Sequence, residues 1–326
     1  MKQGVLQLLG SVIIAAFIMP SAPGAEVMLL LHWNHQAQFT GYYVAKEKGF
    51  YQKHGVDVVI QRGGSDVDGR RWMREGRATF CTTMLFTALE MNDEGLELVH
   101  LAQLVNRSNF TIVAWKNRGI IKPEDLQGRR VSLWRKEFEA PYDGFFKRYR
   151  LSPVIEPQYY TVNLFLRRGI DACAAMYYNE YHTILQSGID PGELTVFRLR
   201  EHGLDFPEDG LYCLARTVTD QPGTCRAMVA ASREGWAYAK DHPDEALEIV
   251  MRYIRQNHIP TNRAHMKWML EKMLLSIFPV AGDTWQFGEL TREQYERAAR
   301  LLREQGLIRS APVFENFHRE VTADVP

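Results

Sequence analysis

Aromatic and polar side chains follow two apolar runs of this chain, and their types favour ligand binding over catalysis. Trp33 and Asn34 follow an apolar run near the start, and Tyr177, Asn179 and Glu180 follow another in the middle. Aromatic faces stack on flat rings, whereas amides and carboxylates hydrogen-bond to polar ring edges. The combination predicts a site for a small, flat, polar heteroaromatic molecule.

The candidate ligand-binding residues lie beyond predicted strand ends or on the helix that follows. They are Trp33, Asn34, Tyr42, Ser65, Thr83, Glu137, Phe138, Glu139, Tyr177, Asn179 and Glu180. Structural roles remain open for several of them. Trp33 and Tyr42 could belong to a hydrophobic core, and Glu180 could complement a helix dipole. Glu137 and Glu139 could be solvated. Other polar or aromatic residues expected near the same edge are His35, Asp66, Thr82, Trp134, Tyr178 and Asp209.

The sequence shows no arrangement typical of a catalytic or metal site. His32 and His35 are close in the chain, but no third ligand is evident, and a turn histidine bonded to the backbone is the favoured interpretation. No Ser-His-Asp order, paired-carboxylate hydrolase motif or nucleotide loop stands out. We therefore expect no catalytic residue, no metal and no cofactor.

The four cysteines are not spaced for metal binding. Cys81 and Cys173 are predicted to be small buried residues in strands. Cys213 and Cys225 are a plausible disulfide pair if the protein is exported, one on a strand and one at the start of the next helix. Whether they are bonded stays open.

The elements that position the first candidates form a predicted βαβ unit. A strand over 27–32, a helix that carries Tyr42 and a second strand over 56–60 have the usual length of such a unit. Parallel strands joined by a crossover place the turn after the first strand at the carboxyl edge of the sheet. Ligands of open α/β sheets bind at that edge, so Trp33 and Asn34 should face the site.

The whole chain reads as an α/β protein with two lobes. Extended crossings are predicted near residues 114–117 and 211–216 and would act as a hinge. Lobe one would contain residues 26–115 plus 216–326, and lobe two residues 116–215. Helix starts are expected at Pro222 and Pro243, and Thr291 with Gln294 resembles a capping box.

Composition excludes some classes of protein. The 326 residues carry 39 basic and 39 acidic side chains, so no nucleic-acid or membrane-surface binding is expected. Residues 1–25 have one early lysine, an apolar run and a small-residue exit, which is the layout of a cleaved signal peptide. We therefore expect a periplasmic, monomeric protein.

Several segments resemble the NMT1/THI5-like family. They are residues 31–33, 41–51, 55–58, 125–128 and 174–180. The resemblance implies a type II periplasmic binding protein fold. It also implies a solute-binding protein of an ABC importer for thiamine precursors, riboflavin or related molecules, with a transporter permease as partner. By resemblance, a thiamine pyrimidine precursor is the favoured ligand.

The family also contains a thiamine pyrimidine synthase, which is the main alternative. Those enzymes carry a lysine that holds pyridoxal phosphate and a cysteine run, CCCFC, near an iron site. Thr83 falls where that lysine would be, and Thr87 falls near an expected histidine. The cysteine run is missing, with Cys213 alone in the corresponding region. We therefore expect a binding protein. A ligand sensor that docks on a membrane kinase is the third alternative.

Overall fold

The computed structural model describes residues 26–134 and 138–319. The expected signal peptide and the candidate residue Glu137 therefore lie outside the described residues. Within the two described stretches, no helix combines the length and the apolar character needed to cross a membrane.

Strands and helices alternate through the first two thirds of the chain, and helices make up the remainder. The strands are β1 (Glu26–Leu30), β2 (Asp57–Gln61), β3 (Phe80–Met84), β4 (Leu98–Gln103), β5 (Phe110–Trp115), β6 (Arg130–Leu133), β7 (Val154–Pro157), β8 (Ala172–Met176), β9 (Leu194–Arg198) and β10 (Asp209–Leu214). The helices are α1 (Thr40–Glu47), α2 (Phe50–Lys53), α3 (Gly69–Arg74), α4 (Leu85–Asp93), α5 (Glu139–Tyr149), α6 (Asn163–Leu166), α7 (Glu180–Gln186), α8 (Ala215–Asp220), α9 (Pro222–Asp241), α10 (Pro243–Gln256), α11 (Arg263–Ile277), α12 (Arg292–Glu304) and α13 (Phe314–Phe317).

Within residues 26–134 and 138–319, the strands form two five-stranded sheets with the same internal pattern. The first has the order β2-β1-β3-β10-β4, and the second has the order β7-β6-β8-β5-β9. In the first sheet β1 is parallel to β2 and β3, while β10 is antiparallel to β3 and β4. In the second sheet β6 is parallel to β7 and β8, while β5 is antiparallel to β8 and β9. In each sheet the antiparallel strand is the first one after the chain has crossed from the other sheet: β10 in the first sheet and β5 in the second. The predicted two-lobed α/β fold is confirmed.

The predicted positions of the two crossings are wrong. β5 was expected to end lobe one, but it pairs along its length with β8 and β9 of the second sheet. β10 was expected to be a crossing, but it pairs with β3 and β4 of the first sheet. The segments that join the sheets are residues 104–109 and 199–208. Both strands are buried along their whole length, and burial alone does not indicate which sheet a strand joins.

The helices after β10 pack on the first sheet through a close contact between α1 and α9. A Cβ atom built on Gly41 would lie 2.2 Å from the Trp236 ring, and one built on Gly235 would lie 2.1 Å from the Gly41 carbonyl oxygen. Only glycine permits this approach, because any side chain would separate the helices. The contact fixes the amino-terminal part of the chain, which includes the turn after β1, against the helical remainder.

Candidate ligand-binding cleft

The strand ends of the two sheets meet through a contact between aromatic rings. Trp33 follows β1 in the first sheet, and Tyr160 follows β7 in the second. Their ring centroids lie 5.6 Å apart at an interplanar angle of 39°. Tyr160 is 63% exposed, and Trp33 is half-buried. We call the space between the carboxyl ends of the parallel strands of the two sheets, next to this ring pair, the cleft.

More aromatic rings from the second sheet line the same edge. Trp134 follows β6, and its indole nitrogen donates to the Tyr159 carbonyl oxygen at 3.1 Å. The Phe138 ring lies 5.7 Å from Trp134 and 6.4 Å from Phe110. These rings are half-buried, apart from the buried Phe110. They provide flat apolar surface next to Tyr160, which suits a planar ligand.

Glu180 places a carboxyl group at the end of β8. It accepts hydrogen bonds from the Met176 backbone N–H and from Asn179 Nδ2, both at 2.9 Å. Part of the side chain reaches solvent, yet the carboxyl is enclosed, and burial raises its pKa to about 7 despite these two donors. A carboxyl near its pKa at neutral pH can accept from a ring amino group or share a proton with a ring nitrogen.

Two further acids, Glu208 and Asp209, lie where the chain returns to the first sheet. Glu208 is 2% exposed and accepts from Ser108 Oγ at 3.1 Å, from Asn109 Nδ2 at 3.0 Å and from the Asn109 backbone N–H. These bonds tie one crossing segment to the other. Burial raises the Glu208 pKa to about 8. Tyr178 follows β8 and is buried. Burial raises its pKa, and the nearby carboxyl groups of Asp209, Glu208 and Glu180 raise it further.

Asp209 belongs to a buried polar network with residues at the end of β1. Gln38 Nε2 donates to Asp209 Oδ2 at 2.7 Å and lies 3.2 Å from His32 Nε2. His32 Nδ1 lies 2.9 Å from Thr82 Oγ1. Asp209 Oδ1 is buried and has no hydrogen-bond partner among the described residues. Burial raises the Asp209 pKa, and the proximity of His32 opposes that rise.

The structure brings most predicted residues to this edge but removes two from it. Tyr42 is 2% exposed and packs edge-on against Trp236 with centroids 6.2 Å apart, so it belongs to the core between α1 and α9. Tyr177 stacks on Tyr181 at 5.0 Å, under the Arg198 guanidinium. Tyr178, the next residue in the turn after β8, is 3% exposed and belongs to the hydrophobic core.

The remaining predicted residues lie at the rim or beneath it. Asn34 and Ser65 belong to neighbouring loops after β1 and β2, and Ser65 is exposed. Thr83 is 7% exposed within β3. Phe138 and Glu139 begin α5 next to Trp134, and both are half-buried.

Sequence reasoning missed Tyr160 and Glu208. Two tyrosines, Tyr159 and Tyr160, directly follow the apolar strand β7, and that pair resembles the signal that identified Trp33 after β1. The acidic pair at 208–209 lies beside a crossing, so correct placement of β10 would have drawn attention to both acids. Gln38 carried no such signal, because a glutamine in an amphipathic segment is ordinarily a surface residue.

A second concave surface lies beside the cleft, between α7 and α11. Its volume is about 310 Å³, and its lining residues include His35, Asn179, Asn262 and His265. His265 Nε2 lies 3.0 Å from Asn179 Oδ1, and the His182 and His265 Nδ1 atoms are 2.9 Å apart. Burial lowers the His265 pKa to about 4. These contacts join α11 to the second sheet, and the groove offers amides and neutral imidazoles where the cleft offers carboxyl groups.

A metal centre has no support in the described stretches, where no group of three or more His, Cys, Asp or Glu side chains converges. Cys81 and Cys173 are buried in β3 and β8, as predicted. The Sγ atoms of Cys213 and Cys225 lie 4.0 Å apart as thiols.

Comparisons with known proteins give distant relatives, some named for a biosynthetic role and some for ligand binding. A "Putative thiamine biosynthesis protein" of Haemophilus influenzae is 20% identical, covering 93% of this chain and 94% of that protein. "Riboflavin-binding protein RibY" of Chloroflexus aurantiacus is 25% identical, covering 70% and 66%. "4-amino-5-hydroxymethyl-2-methylpyrimidine phosphate synthase" of Legionella pneumophila is 21% identical, covering 72% and 76%.

Solved structures support the fold, and the family's sequence profile supports membership. The periplasmic aliphatic sulphonate binding protein SsuA of Escherichia coli superposes with a TM-score of 0.68 at 12% identity, covering 91% of this chain and 92% of that one. At this identity the likeness concerns the fold alone, which is that of periplasmic binding proteins. The profile described as "NMT1/THI5 like" matches residues 36–246. The chain therefore belongs to the NMT1/THI5-like family.

Proposed function

We propose that this protein is a periplasmic solute-binding protein of an ABC importer, and that its solute is a small heteroaromatic molecule such as a thiamine pyrimidine precursor. The observation that carries the proposal is the contact between Trp33 of one sheet and Tyr160 of the other, with the carboxyl group of Glu180 at the same edge. Aromatic faces and a carboxyl group that converge from two sheets suit a flat ring with polar edges.

Binding would follow from a few strong contacts. Each ring stack contributes about 0.5–1.5 kcal/mol beyond area burial. A charge-assisted hydrogen bond to Glu180 contributes roughly 1.5–3 kcal/mol. After the cost of association, such terms correspond to about micromolar affinity. The segments 104–109 and 199–208 would act as the hinge on which the two lobes close, with lobe bounds near these segments.

Export and partners belong to the same proposal. Residues 1–25 would be a cleaved signal peptide, and the mature monomer would deliver its solute to a transporter permease. The name of the Chloroflexus relative supports a heteroaromatic solute, that of the Haemophilus relative supports a link to thiamine biosynthesis, and that of the Legionella relative supports a pyrimidine.

A thermal-shift screen of the purified protein tests the proposal. The panel contains thiamine, 4-amino-5-hydroxymethyl-2-methylpyrimidine, riboflavin and ethanesulfonate. A ligand that binds only the folded state raises the melting temperature by mass action. We expect a rise with at least one heteroaromatic compound, and no rise with any of the panel would contradict the proposal.

A pyrimidine synthase remains the second candidate because the Legionella relative carries that name. The position expected for the cofactor lysine is Thr83, whose side chain cannot form an imine with pyridoxal phosphate. An absorbance band of bound pyridoxal phosphate, with product formed in the presence of iron, would favour the enzyme.

A further inference from the structure

One buried oxygen atom at the carboxyl edge of the first sheet has no hydrogen-bond donor among the described residues. Asp209 is 5% exposed, and its Oδ2 accepts from Gln38 Nε2 at 2.7 Å. Its Oδ1 has no hydrogen-bond partner among the described residues. A buried carboxylate oxygen without a donor is costly, and a folded protein keeps such a group only where something compensates for it.

His32 is the nearest candidate donor, but both of its ring nitrogens already lie at hydrogen-bond distance from other side chains. Its Nε2 atom lies 3.5 Å from Asp209 Oδ1, which is beyond ordinary hydrogen-bond length. The amide nitrogen of Gln38 can only donate, so at 3.2 Å His32 Nε2 accepts from it. The other ring nitrogen, Nδ1, lies 2.9 Å from Thr82 Oγ1. His32 is therefore close to Asp209 Oδ1 but forms its hydrogen bonds with Gln38 and Thr82.

The location of Asp209 connects this oxygen to both sheets. Asp209 pairs with Met84 at the carboxyl end of β3, and His32 follows β1. Tyr178, from the end of β8 in the second sheet, lies within its electrostatic reach. Gln38 bonds the carboxylate directly, and Gln38 in turn contacts His32, which contacts Thr82, as supporting residues of a recognition site do.

We propose that Asp209 Oδ1 accepts a hydrogen bond from an N–H group of the bound solute, so that Asp209 is a specificity-determining residue for ring amino and ring N–H donors. This inference rests on the proposed solute-binding function and adds which class of solute the site selects. Solutes rich in N–H donors are bound, and an anionic solute such as an alkanesulfonate is disfavoured because it would bring negative charge to Asp209 and Glu180.

The test uses Asp209→Asn, which keeps the shape and the bond to Gln38 but replaces an acceptor by a donor. The control is Asp171→Asn, at the opposite end of β8, where the carboxylate accepts from the Arg130 backbone N–H at 2.8 Å and pairs with Arg118. Calorimetric titrations use 4-amino-5-hydroxymethyl-2-methylpyrimidine, riboflavin and ethanesulfonate as probes, and the melting temperature of each ligand-free variant is measured.

We expect Asp209→Asn to weaken binding of the amino-bearing probe at least tenfold, and the melting temperature of the ligand-free variant checks that it is folded. Asp171→Asn should lower the melting temperature and leave affinity unchanged. Unchanged affinity in Asp209→Asn, or a preference of the wild type for ethanesulfonate, would overturn the inference while leaving solute binding intact. If the wild type binds none of the probes and thiamine does not raise its melting temperature, the proposed function itself fails.

Discussion

The Trp33 indole at the end of β1 lies 5.6 Å from the Tyr160 ring, which follows β7 in the other sheet. A planar ring needs about 7 Å between two faces that sandwich it, twice the usual contact distance of roughly 3.5 Å. Solute entry would therefore separate these rings, whose contact lies where the two sheets meet.

The ring pair gives the first prediction. Trp33→Ala or Tyr160→Ala should weaken binding of a heteroaromatic solute at least tenfold, about 1.4 kcal/mol, because each removes one stacking face. The matched control is Tyr159→Ala. The Tyr159 side chain is 73% exposed, and the residue accepts the Trp134 hydrogen bond through its backbone carbonyl oxygen, which the variant keeps. Titration calorimetry measures all three variants. Equal losses in the control and in Tyr160→Ala would remove the ring pair from the site.

Glu180 gives the second prediction. Glu180→Gln should weaken solute binding at least tenfold, because an amide forms a weaker bond to a ring amino group than a carboxylate does. The variant retains an oxygen for the Met176 backbone N–H, so the melting temperature of the ligand-free protein at pH 6 should change little. Unaltered affinity would show that Glu180 does not contact the solute.

The dependence of stability on pH is the third prediction. The pKa of Glu180 is raised to about 7 and that of Glu208 to about 8, so the folded state holds these protons more tightly than the unfolded state. Their contribution to stability is full below about pH 4.5 and is lost as pH rises to 8. The pKa values of His35 and His265 are lowered to about 4, so their contribution is lost as pH falls from 6.5 to 4.

These opposing effects nearly cancel between about pH 4.5 and 6.5, so they predict a free energy of unfolding that is level over this range and falls above pH 6.5. Urea denaturation at pH 5, 6.5 and 8 measures it, with a decline of roughly 2 kcal/mol expected between pH 6.5 and 8 from Glu208. Glu208→Gln should flatten this alkaline decline, whereas Asp66→Asn, at an exposed carboxyl, should leave it unchanged. Stability that rises steadily to pH 8 would contradict the assignment of protons to these acids.

Much of the fold could be predicted from the sequence because local signals agree with it. Pro222 and Pro243 begin α9 and α10, and Thr291 forms a capping box with Gln294, as predicted. The sheet membership of β5 and β10 could not be predicted, because a buried apolar strand fits either sheet. The conformation of the turn after β8 decides how Tyr177 and Tyr178 pack, and no pattern in that short run of residues determines it.

The contact between α1 and α9 gives the fourth prediction. Gly235→Ala should destabilise the protein by roughly 1–3 kcal/mol, because its Cβ would lie 2.1 Å from the Gly41 carbonyl oxygen. Gly223→Ala is the control on the same helix. No atom lies within 4 Å of its Cβ position, so the variant should be neutral or slightly more stable. Equal effects in urea denaturation would show that the helices are not in this close contact.

The thiol pair gives the fifth prediction. Cys213 and Cys225 have Sγ atoms 4.0 Å apart, so folding in the presence of glutathione disulfide should join them. The short loop that they close implies a stabilisation of about 3 kcal/mol. Alkylation under denaturing conditions, followed by mass spectrometry, should find only Cys81 and Cys173 as thiols. Four alkylated cysteines after oxidative folding would contradict the pairing.

The position of a bound solute is the most direct test of the proposed cleft. A crystal structure of the protein with the tightest-binding compound of the screen should show the solute ring between Trp33 and Tyr160, with its polar edge towards Glu180 and Asp209. Electron density for the solute in the groove beside His265, with the Trp33–Tyr160 contact intact, would contradict the proposed site.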